Sequence, residues 1–584
     1  MKAILIGLLL ISFWAQGWAQ SASAPTNLSA VSDAGTIRLQ WADTSATESF
    51  LIERRIGRSG VFVGIAEVGP GVRVFVDSTV RLGEEYSYHI RARLGNNYSS
   101  STSTVYGRSI TIVIPPPVVV PPLPIPPISG IRTFYSDFAA GDDSNNGLSQ
   151  ATAWKHVKGM VGCINVCNST VLAATDQVVF KGGVTWTASF PWILITGVTY
   201  TSDPGWFAGT IFTIPTFDAL GSHPSGGMAN TNGRNIRINS LKFANCGIAR
   251  ATNSDKCLIF TNTQDITITN SVFVTESWIG IYFIFDTPGV YSNFIWTGND
   301  FSKTSGAIWF ASAAVGVTRR NVTYNNNTFH DFSSQIGGAA GVGTHGDGAF
   351  HSFSYPFNDP TSSLDGMTFC NNRFYGDFRR GYGVDGGMTA MVYITETSKN
   401  LLICNNDFSY SPVGDGITSQ FESLLEFDQD NIFPITAQIY NNSFAAIGPN
   451  AMSAVILARK AGPGSSIVLK NNIISAPQYC YHFEDTTTAA VITSDYNLLN
   501  CSSGWLYSAG WKNYADWRAA GKDMNGLLGF NPQWVAAPGN ENLNPTSPAI
   551  GTGVNLTLLG ISILNADKNG VPRPTTGPWR MGAF

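Results

Sequence analysis

Between Asn239 and Leu499 the chain repeats a short phrase built on Asn-Asn-x-Phe, and this repeat constrains the fold more than any other feature. Nine variants occur: Asn239-Ser-Leu-Lys-Phe243, Asn270-Ser-Val-Phe273, Gly298-Asn-Asp-Phe301, Asn326-Asn-Thr-Phe329, Asn371-Asn-Arg-Phe374, Asn405-Asn-Asp-Phe408, Asn441-Asn-Ser-Phe444, Asn471-Asn-Ile-Ile474 and Tyr496-Asn-Leu-Leu499. Their last residues are separated by 30, 28, 28, 45, 34, 36, 30 and 25 positions. A loose period of this size, with β-branched and aromatic residues before each copy, predicts the stacked coils of a solenoid. The repeated Asn residues, Asn326, Asn371, Asn405, Asn441 and Asn471 among them, mark a turn where side-chain amides can bond from coil to coil. Each motif Phe is expected in the core.

At 584 residues the chain needs more than one compact unit. A net charge of −4 gives no basic footprint and argues against nucleic acid as the main partner. Charged residues are only 13%, and 60 glycines suit a long β structure with many turns. Residues 1–19 read as a secretory signal, with Lys2, an apolar run Ala3–Trp14 and small residues ending at Ala19. That run is too short to span a bilayer, and no later stretch is long enough. The eight cysteines fit an oxidising compartment, with Cys163/Cys167, Cys246/Cys257 and Cys480/Cys501 as local pairs. Cys370 and Cys404 precede the Asn-Asn pair in successive copies and should stack, as a bridge or as a reduced ladder.

Residues 24–113 resemble a fibronectin type III domain. The likeness rests on Ala24-Pro-Thr-Asn-Leu-Ser-Ala30, Ile37-Arg-Leu-Gln-Trp41, Phe50-Leu-Ile-Glu-Arg54 and Tyr86-Ser-Tyr-His-Ile-Arg-Ala92. Their alternation of apolar and polar residues is that of half-buried strands in a small sandwich, with Trp41 and Tyr86 as core and corner residues. Such a module implies spacing or cell-surface attachment. Residues 114–130 form a linker, whose eight prolines within Ile114–Pro127 favour extended polyproline II.

From Ile131 to Phe584 the chain resembles right-handed parallel β-helix proteins of the pectin-lyase-like type. The residues that carry this are Phe134-Tyr-Ser-Asp-Phe-Ala-Ala-Gly-Asp-Asp-Ser-Asn-Asn-Gly at one end, and Asp567-Lys-Asn-Gly-Val-Pro-Arg-Pro574 with Gly577-Pro-Trp-Arg-Met-Gly-Ala-Phe584 at the other. The fold class expected is therefore all-β: a parallel β-helix with caps at both ends, preceded by a small fibronectin-like sandwich. The resemblance implies a polysaccharide partner without naming an activity.

Aligning the strand before each repeat sorts its residues into columns. Phe285, Phe310, Phe353, Ile394, Phe427, Leu457 and Phe483 are expected inside. Ile284, Trp309, Ser352, Tyr393, Glu426, Ile456 and His482 are then expected outside, because strand side chains alternate. Trp309, Tyr393, Glu426 and His482 would form one ridge, whose rings, acid and imidazole suit a sugar polymer. A one-residue shift of Phe350–Ser354 would turn His351 outward.

Chemistry has several candidate seats. The 45-residue step carries Thr344-His-Gly-Asp-Gly348, where His345 and Asp347 are a candidate acid/base pair; a plain Gly/Asp turn is the rival reading. Arg379 and Arg380 in the next step could clamp uronate carboxylates or simply be solvated. Glu426 and Asp428, two apart on one strand, suit inverting glycoside hydrolysis, with Glu396 and Asp430 close enough to perturb them. No cofactor is required by this reading, although the same oxygens could hold Ca²⁺. The Asn-Thr-Asp, Gly-His-Gly and Arg-Ile-Lys set of polygalacturonases is not found, nor a clear lyase signature. The sequence therefore predicts a secreted glycoside hydrolase or polysaccharide lyase, with a non-catalytic glycan-binding adhesin or structural surface protein as the alternative.

Overall fold

A computed structural model describes residues 22–584 except 34–35, 44–46, 78, 81–83, 109–130, 188–189, 222–227, 247–255, 276, 278, 305, 334–347, 355–358, 380–389, 411–422, 428–432, 447–454, 459–460, 477–478, 484–487, 489, 502–512 and 538. The secretory segment at 1–19 and the proline-rich linker lie outside the described residues. So do His345, Asp347, Arg380, Asp428, Asp430 and the Arg379 side chain. The chain divides into two compact units, 1–119 and 120–584.

The first unit is an antiparallel sandwich. Thr26–Asp33, Thr36–Ala42 and Val74–Asp77 form one sheet, while Val63–Val68, Ser49–Ile56, Glu85–Leu94, Asn97–Tyr98 and Val105–Arg108 form the other. Ile37, Leu39, Trp41, Phe50, Ile52, Tyr86, Tyr88 and Ile90 fill the space between them. Asp77 ties the edge by accepting from Arg54 at 2.6 Å and from the Tyr88 hydroxyl at 2.9 Å.

The second unit is a parallel β-helix. Among the described residues, three parallel sheets of 12, 12 and 10 strands run along it, and the chain visits them in turn. Sheet I runs from Thr133–Ser136 to Ile492–Asp495, sheet II from Thr185–Thr187 to Leu527–Leu528, and sheet III from Trp192–Ile193 to Tyr481–Phe483. Equivalent residues stack coil upon coil inside. Phe217, Phe243, Phe273, Phe301, Phe329, Phe374, Phe408 and Phe444 form one file, with successive ring centroids 4.4–5.7 Å apart. These are the motif phenylalanines, together with Phe217 ahead of them.

The two Asn of each motif do different work. The first takes the left-handed conformation of a sharp turn from sheet I to sheet II: φ is 58° at Asn326, 59° at Asn371, 52° at Asn405, 54° at Asn441 and 58° at Asn471, and Gly298 holds the same place at 70°. Gly and Asn are the residues that reach this region at least cost. Of the first residues, Asn270 Nδ2 donates to Asn239 Oδ1 at 3.0 Å, but the long bonding ladder is made by the second, Asn299, Asn327, Asn372, Asn406, Asn442, Asn472 and Asn497. Asn406 Nδ2 donates to Phe369 O at 2.8 Å and to Asn442 Oδ1 at 2.9 Å, while its own Oδ1 accepts from Asn372 N at 2.9 Å. Asp523 ends the ladder, accepting from Asn497 N and Nδ2 and from Trp517 Nε1. Burial raises the Asp523 pKa, against these hydrogen bonds.

All eight cysteines are paired as Cys163–Cys167, Cys246–Cys257, Cys370–Cys404 and Cys480–Cys501. The C-terminal segment covers the third pair: Leu556, Leu564 and Trp579 pack over Cys370, Cys404 and Tyr440. Asn405 donates to Ile563 O and Ala566 O, and Arg573 reaches Asn405 Oδ1 at 3.2 Å. No helix among the described residues is long and apolar enough to cross a membrane.

Candidate functional site

Sheet III carries the residues singled out by the column alignment, and its register decides which face each side chain takes. Phe283, Phe310, Ser352, Ile394 and Phe427 occupy one file, and Tyr282, Trp309, His351, Tyr393, Glu426, Leu457 and His482 the file beside it. Phe283, Phe310, Ile394 and Phe427 belong to the core, so Tyr282, Trp309, His351, Tyr393, Glu426 and His482 lie on the outer side, while Leu457 is placed in the file by its backbone pairing. The structure thus brings Trp309, Tyr393, Glu426 and His482 into one column.

Three other positions differ from the sequence alignment. Tyr282 replaces Ile284 and Leu457 replaces Ile456 in that column. The third difference is chemically the largest: Phe353 and Ser352 exchange faces, so Ser352 lies inside and His351 outside. The reason is polar: Ser352 Oγ donates to the buried carboxylate of Glu396. Glu396 itself turns inward to an ion pair with Arg319, both fully buried, and does not join an outer acid cluster with Glu426.

His351 is the residue that apolar patterning misplaced; the one sign of it was the one-residue ambiguity of Phe350–Ser354. Its ring stacks on Tyr393 with centroids 4.6 Å apart and meets the Trp309 ring edge-to-face at 5.2 Å. Phe353, next along the strand, touches both His351 and Trp309. Trp309 is 6% exposed and His351 7%, so Trp309 is a packed wall behind the imidazole more than an open platform. Tyr282, Tyr393 and His482 are partly exposed.

Glu426 follows Tyr393 in the column, is fully buried, and accepts from Ser423 Oγ at 3.0 Å. One rung is about 4.8 Å, so His351 and His482 each sit roughly 9.6 Å from Glu426 along the column. Carboxylate, phenol and imidazoles on one file can bind hydroxyls, stack on a ring and move a proton. Among the described residues no group of three or more His, Cys, Asp or Glu is placed to hold a metal ion. Asp428 and Asp430, which with Glu426 and Glu396 make up the oxygen cluster considered for Ca²⁺, lie outside the described residues.

Long connections enter sheet III at the middle of this file. Those from sheet II leave after Ser333, Arg379 and Tyr410 and return at Gly348, Ala390 and Ser423. His345, Asp347 and Arg380 fall within them, and Asp428 follows Phe427 directly. Arg379 ends the strand Arg373–Arg379, its backbone paired with Ser333.

A further histidine, His330, sits among acids on the outer face of sheet II. His330 bonds Asp331 through Nδ1 at 2.7 Å and Asp300 through Nε2 at 2.9 Å, and its ring stacks on Tyr375 at 5.0 Å. Burial alone would lower its pKa, but the hydrogen bonds and charges of Asp300 and Asp331 outweigh it and raise the value to about 9. An imidazolium held in this way is a fixed cation near neutral pH and suits a structural tie better than proton transfer.

No protein-family model matches the chain, and no curated protein matches it. Among solved structures, the chain is similar to the catalytic domain of a GH87 alpha-1,3-glucanase in complex with nigerose: 11% identity, 85% of this chain, 91% of the other, TM-score 0.35. It is similar to a pectate lyase from Pectobacterium carotovorum at 11% identity over 71% of this chain and 86% of the other, TM-score 0.13. An Fn3-like protein from Clostridium thermocellum matches 15% of this chain and 95% of its own length, with 23% identity and a TM-score of 0.15. At such scores the likenesses carry no argument about chemistry, and the parallel β-helix rests on the pairing of its own sheets.

Proposed function

We propose that this is an exported, polysaccharide-active protein that engages a glycan along the outer face of sheet III. The observation that carries the reading is the unbroken file Tyr282, Trp309, His351, Tyr393, Glu426, Leu457, His482 on consecutive strands. Its rung spacing of about 4.8 Å is close to one sugar ring per strand for an extended chain lying along the axis. Rings flanked by a carboxylate and imidazoles supply both the stacking and the hydroxyl partners such a chain requires. Four disulfides support export to an oxidising compartment, and the N-terminal sandwich is read as a spacer or attachment module.

The catalytic form of the proposal is hydrolysis, with Glu426 and Asp428 as the carboxyl pair. This pairing rests on their two-residue spacing in the sequence, which in extended chain corresponds to roughly 6.5–7 Å at the backbone, where inverting hydrolases use about 6.5–9.5 Å between carboxyls; Asp428 itself lies outside the described residues. His345 and Asp347 are the second acid/base candidates, Tyr393 and His482 offer the partly exposed sugar-binding rings with Trp309 packed behind them, and Arg379 and Arg380 serve if the sugar is acidic. One observation favours a non-catalytic glycan binder instead: Glu426 is fully buried and already bonded to Ser423.

A panel of neutral glucans, xylan and polygalacturonate separates these readings. New reducing ends report hydrolysis, and ultraviolet absorbance of unsaturated uronates reports elimination. Binding with neither product supports the binder. Absence of binding to every polymer in the panel would count against the proposal.

A further inference from the structure

Behind His351 and Tyr393, the coil interior holds a buried pair of opposite charges. Arg319, on the sheet I strand Val317–Asn325, and Glu396, just after Ala390–Thr395, are fully buried and ion-paired. Arg319 Nη1 also donates to Ser312 Oγ, and its guanidinium lies 5.9 Å from the Phe285 ring centroid. Ser352 Oγ donates to the other partner, Glu396. Three consecutive strands of sheet III thus meet at one ion pair: Gly306–Ser312 through Ser312, Gly348–Ser354 through Ser352, and Ala390–Thr395 through the residue that follows it.

A buried ion pair adds little net stability, because desolvation offsets the attraction; its best-attested service is to specify register. This coil needs that service. The observed register buries Phe350, Ser352 and Ser354 and turns His351 and Phe353 out. A slip of one residue would reverse every face, burying Phe353 and exposing Phe350. Each arrangement places one Phe of Phe350–Ser354 inside, so apolar burial does not choose between them. The polar contacts do, since a slip would carry Ser352 away from Glu396.

We propose that the Arg319–Glu396 pair is a positioning element, holding strand Gly348–Ser354 in the register that presents His351 to the outer face. The inference rests on the glycan reading only for the role of His351. The register is testable by itself.

The test uses a geometry already present in the molecule. Cys370 and Cys404 are registered partners on adjacent parallel strands, with Cα atoms 4.5 Å apart, and they form a disulfide. No native cysteine is free, so introduced cysteines would be the sole thiols. Ala311 and Phe353 are registered partners on the outer side. An Ala311→Cys/Phe353→Cys variant is expected to oxidise to a fifth disulfide, read by non-reducing peptide mapping. Adding Arg319→Met and Glu396→Leu is expected to cut that yield about tenfold and to let Ala311→Cys/Ser354→Cys cross-link, which the native register forbids.

Equal Ala311–Phe353 cross-linking in both backgrounds, with the β-sheet circular dichroism retained, would overturn the proposal. If the apolar double variant does not fold, Arg319→Lys and Glu396→Gln carry the same comparison, and unchanged cross-linking in both overturns it. A shifted register with unchanged binding to the polysaccharide panel would leave the positioning role standing and remove His351 from the glycan reading.

Discussion

The imidazole of His351 and the phenol ring of Tyr393 stack with centroids 4.6 Å apart on neighbouring strands of sheet III, and Trp309 closes the other side of the imidazole at 5.2 Å. An imidazole sandwiched in this way has a fixed plane and a fixed place in the outer file. His351→Phe should keep the stack, while His351→Ala should lose about 0.5–1.5 kcal/mol of ring–ring stabilisation in addition to burial. Urea unfolding of the two variants checks this. If His351 serves the glycan through its nitrogens, both variants weaken polysaccharide binding although only one is destabilised.

The Asn ladder predicts opposite outcomes for the two residues of one motif. Asn406→Ala removes acceptor and donor from neighbouring coils and leaves buried partners unsatisfied, at a cost of about 1–3 kcal/mol for each such group. Asn326→Gly, in contrast, should change stability by less than about 1 kcal/mol, because glycine adopts its φ of 58° freely and Gly298 already fills the equivalent turn at 70°. Denaturant midpoints at constant m-value compare the two directly.

His330 predicts a pH signature. Its folded pKa of about 9 is above the ordinary 6.5, so its contribution to stability is fully present below about pH 6.5 and is lost as pH rises through about 9. Thermal unfolding from pH 6 to pH 10 (an interval of roughly four units spanning both values) should show a falling Tm that flattens in His330→Gln. An equal slope in that variant would assign the effect elsewhere.

The C-terminal cover over Cys370–Cys404 predicts a coupling between distant parts of the sequence. Trp579 is fully buried against that pair, so Trp579→Ala should cost about 3–5 kcal/mol and expose the disulfide to reductant. Faster loss of this disulfide than of Cys163–Cys167, followed by mass spectrometry under mild reduction, is the expected result.

The molecule was unevenly legible in its sequence. The Asn-Asn-x-Phe period states the coil repeat because sharp turns and stacked rings impose residue types at fixed places. The column of Trp309, Tyr393, Glu426 and His482 follows from alternation alone, since each lies beside an apolar core residue on its strand. His351 did not follow, because Phe350 and Phe353 satisfy the core equally and the deciding contacts come from Arg319 and Glu396, remote in sequence. The division of labour within each Asn pair was hidden for a similar reason: two identical letters differ only in backbone conformation. Nor does the alignment show that Glu396 turns inward, as acids near strand ends are ordinarily outside.

Tyr393, partly exposed between His351 and Glu426 in the outer file of sheet III, is the residue that most directly probes a glycan lying along that file. The deciding measurement is calorimetric titration of wild type and Tyr393→Ala with the polymer that binds best in the panel. Loss of one aromatic contact surface is worth about 0.5–1.5 kcal/mol, so affinity is expected to fall by up to roughly tenfold with the fold unchanged. Unchanged affinity in a folded Tyr393→Ala would contradict that placement of the glycan.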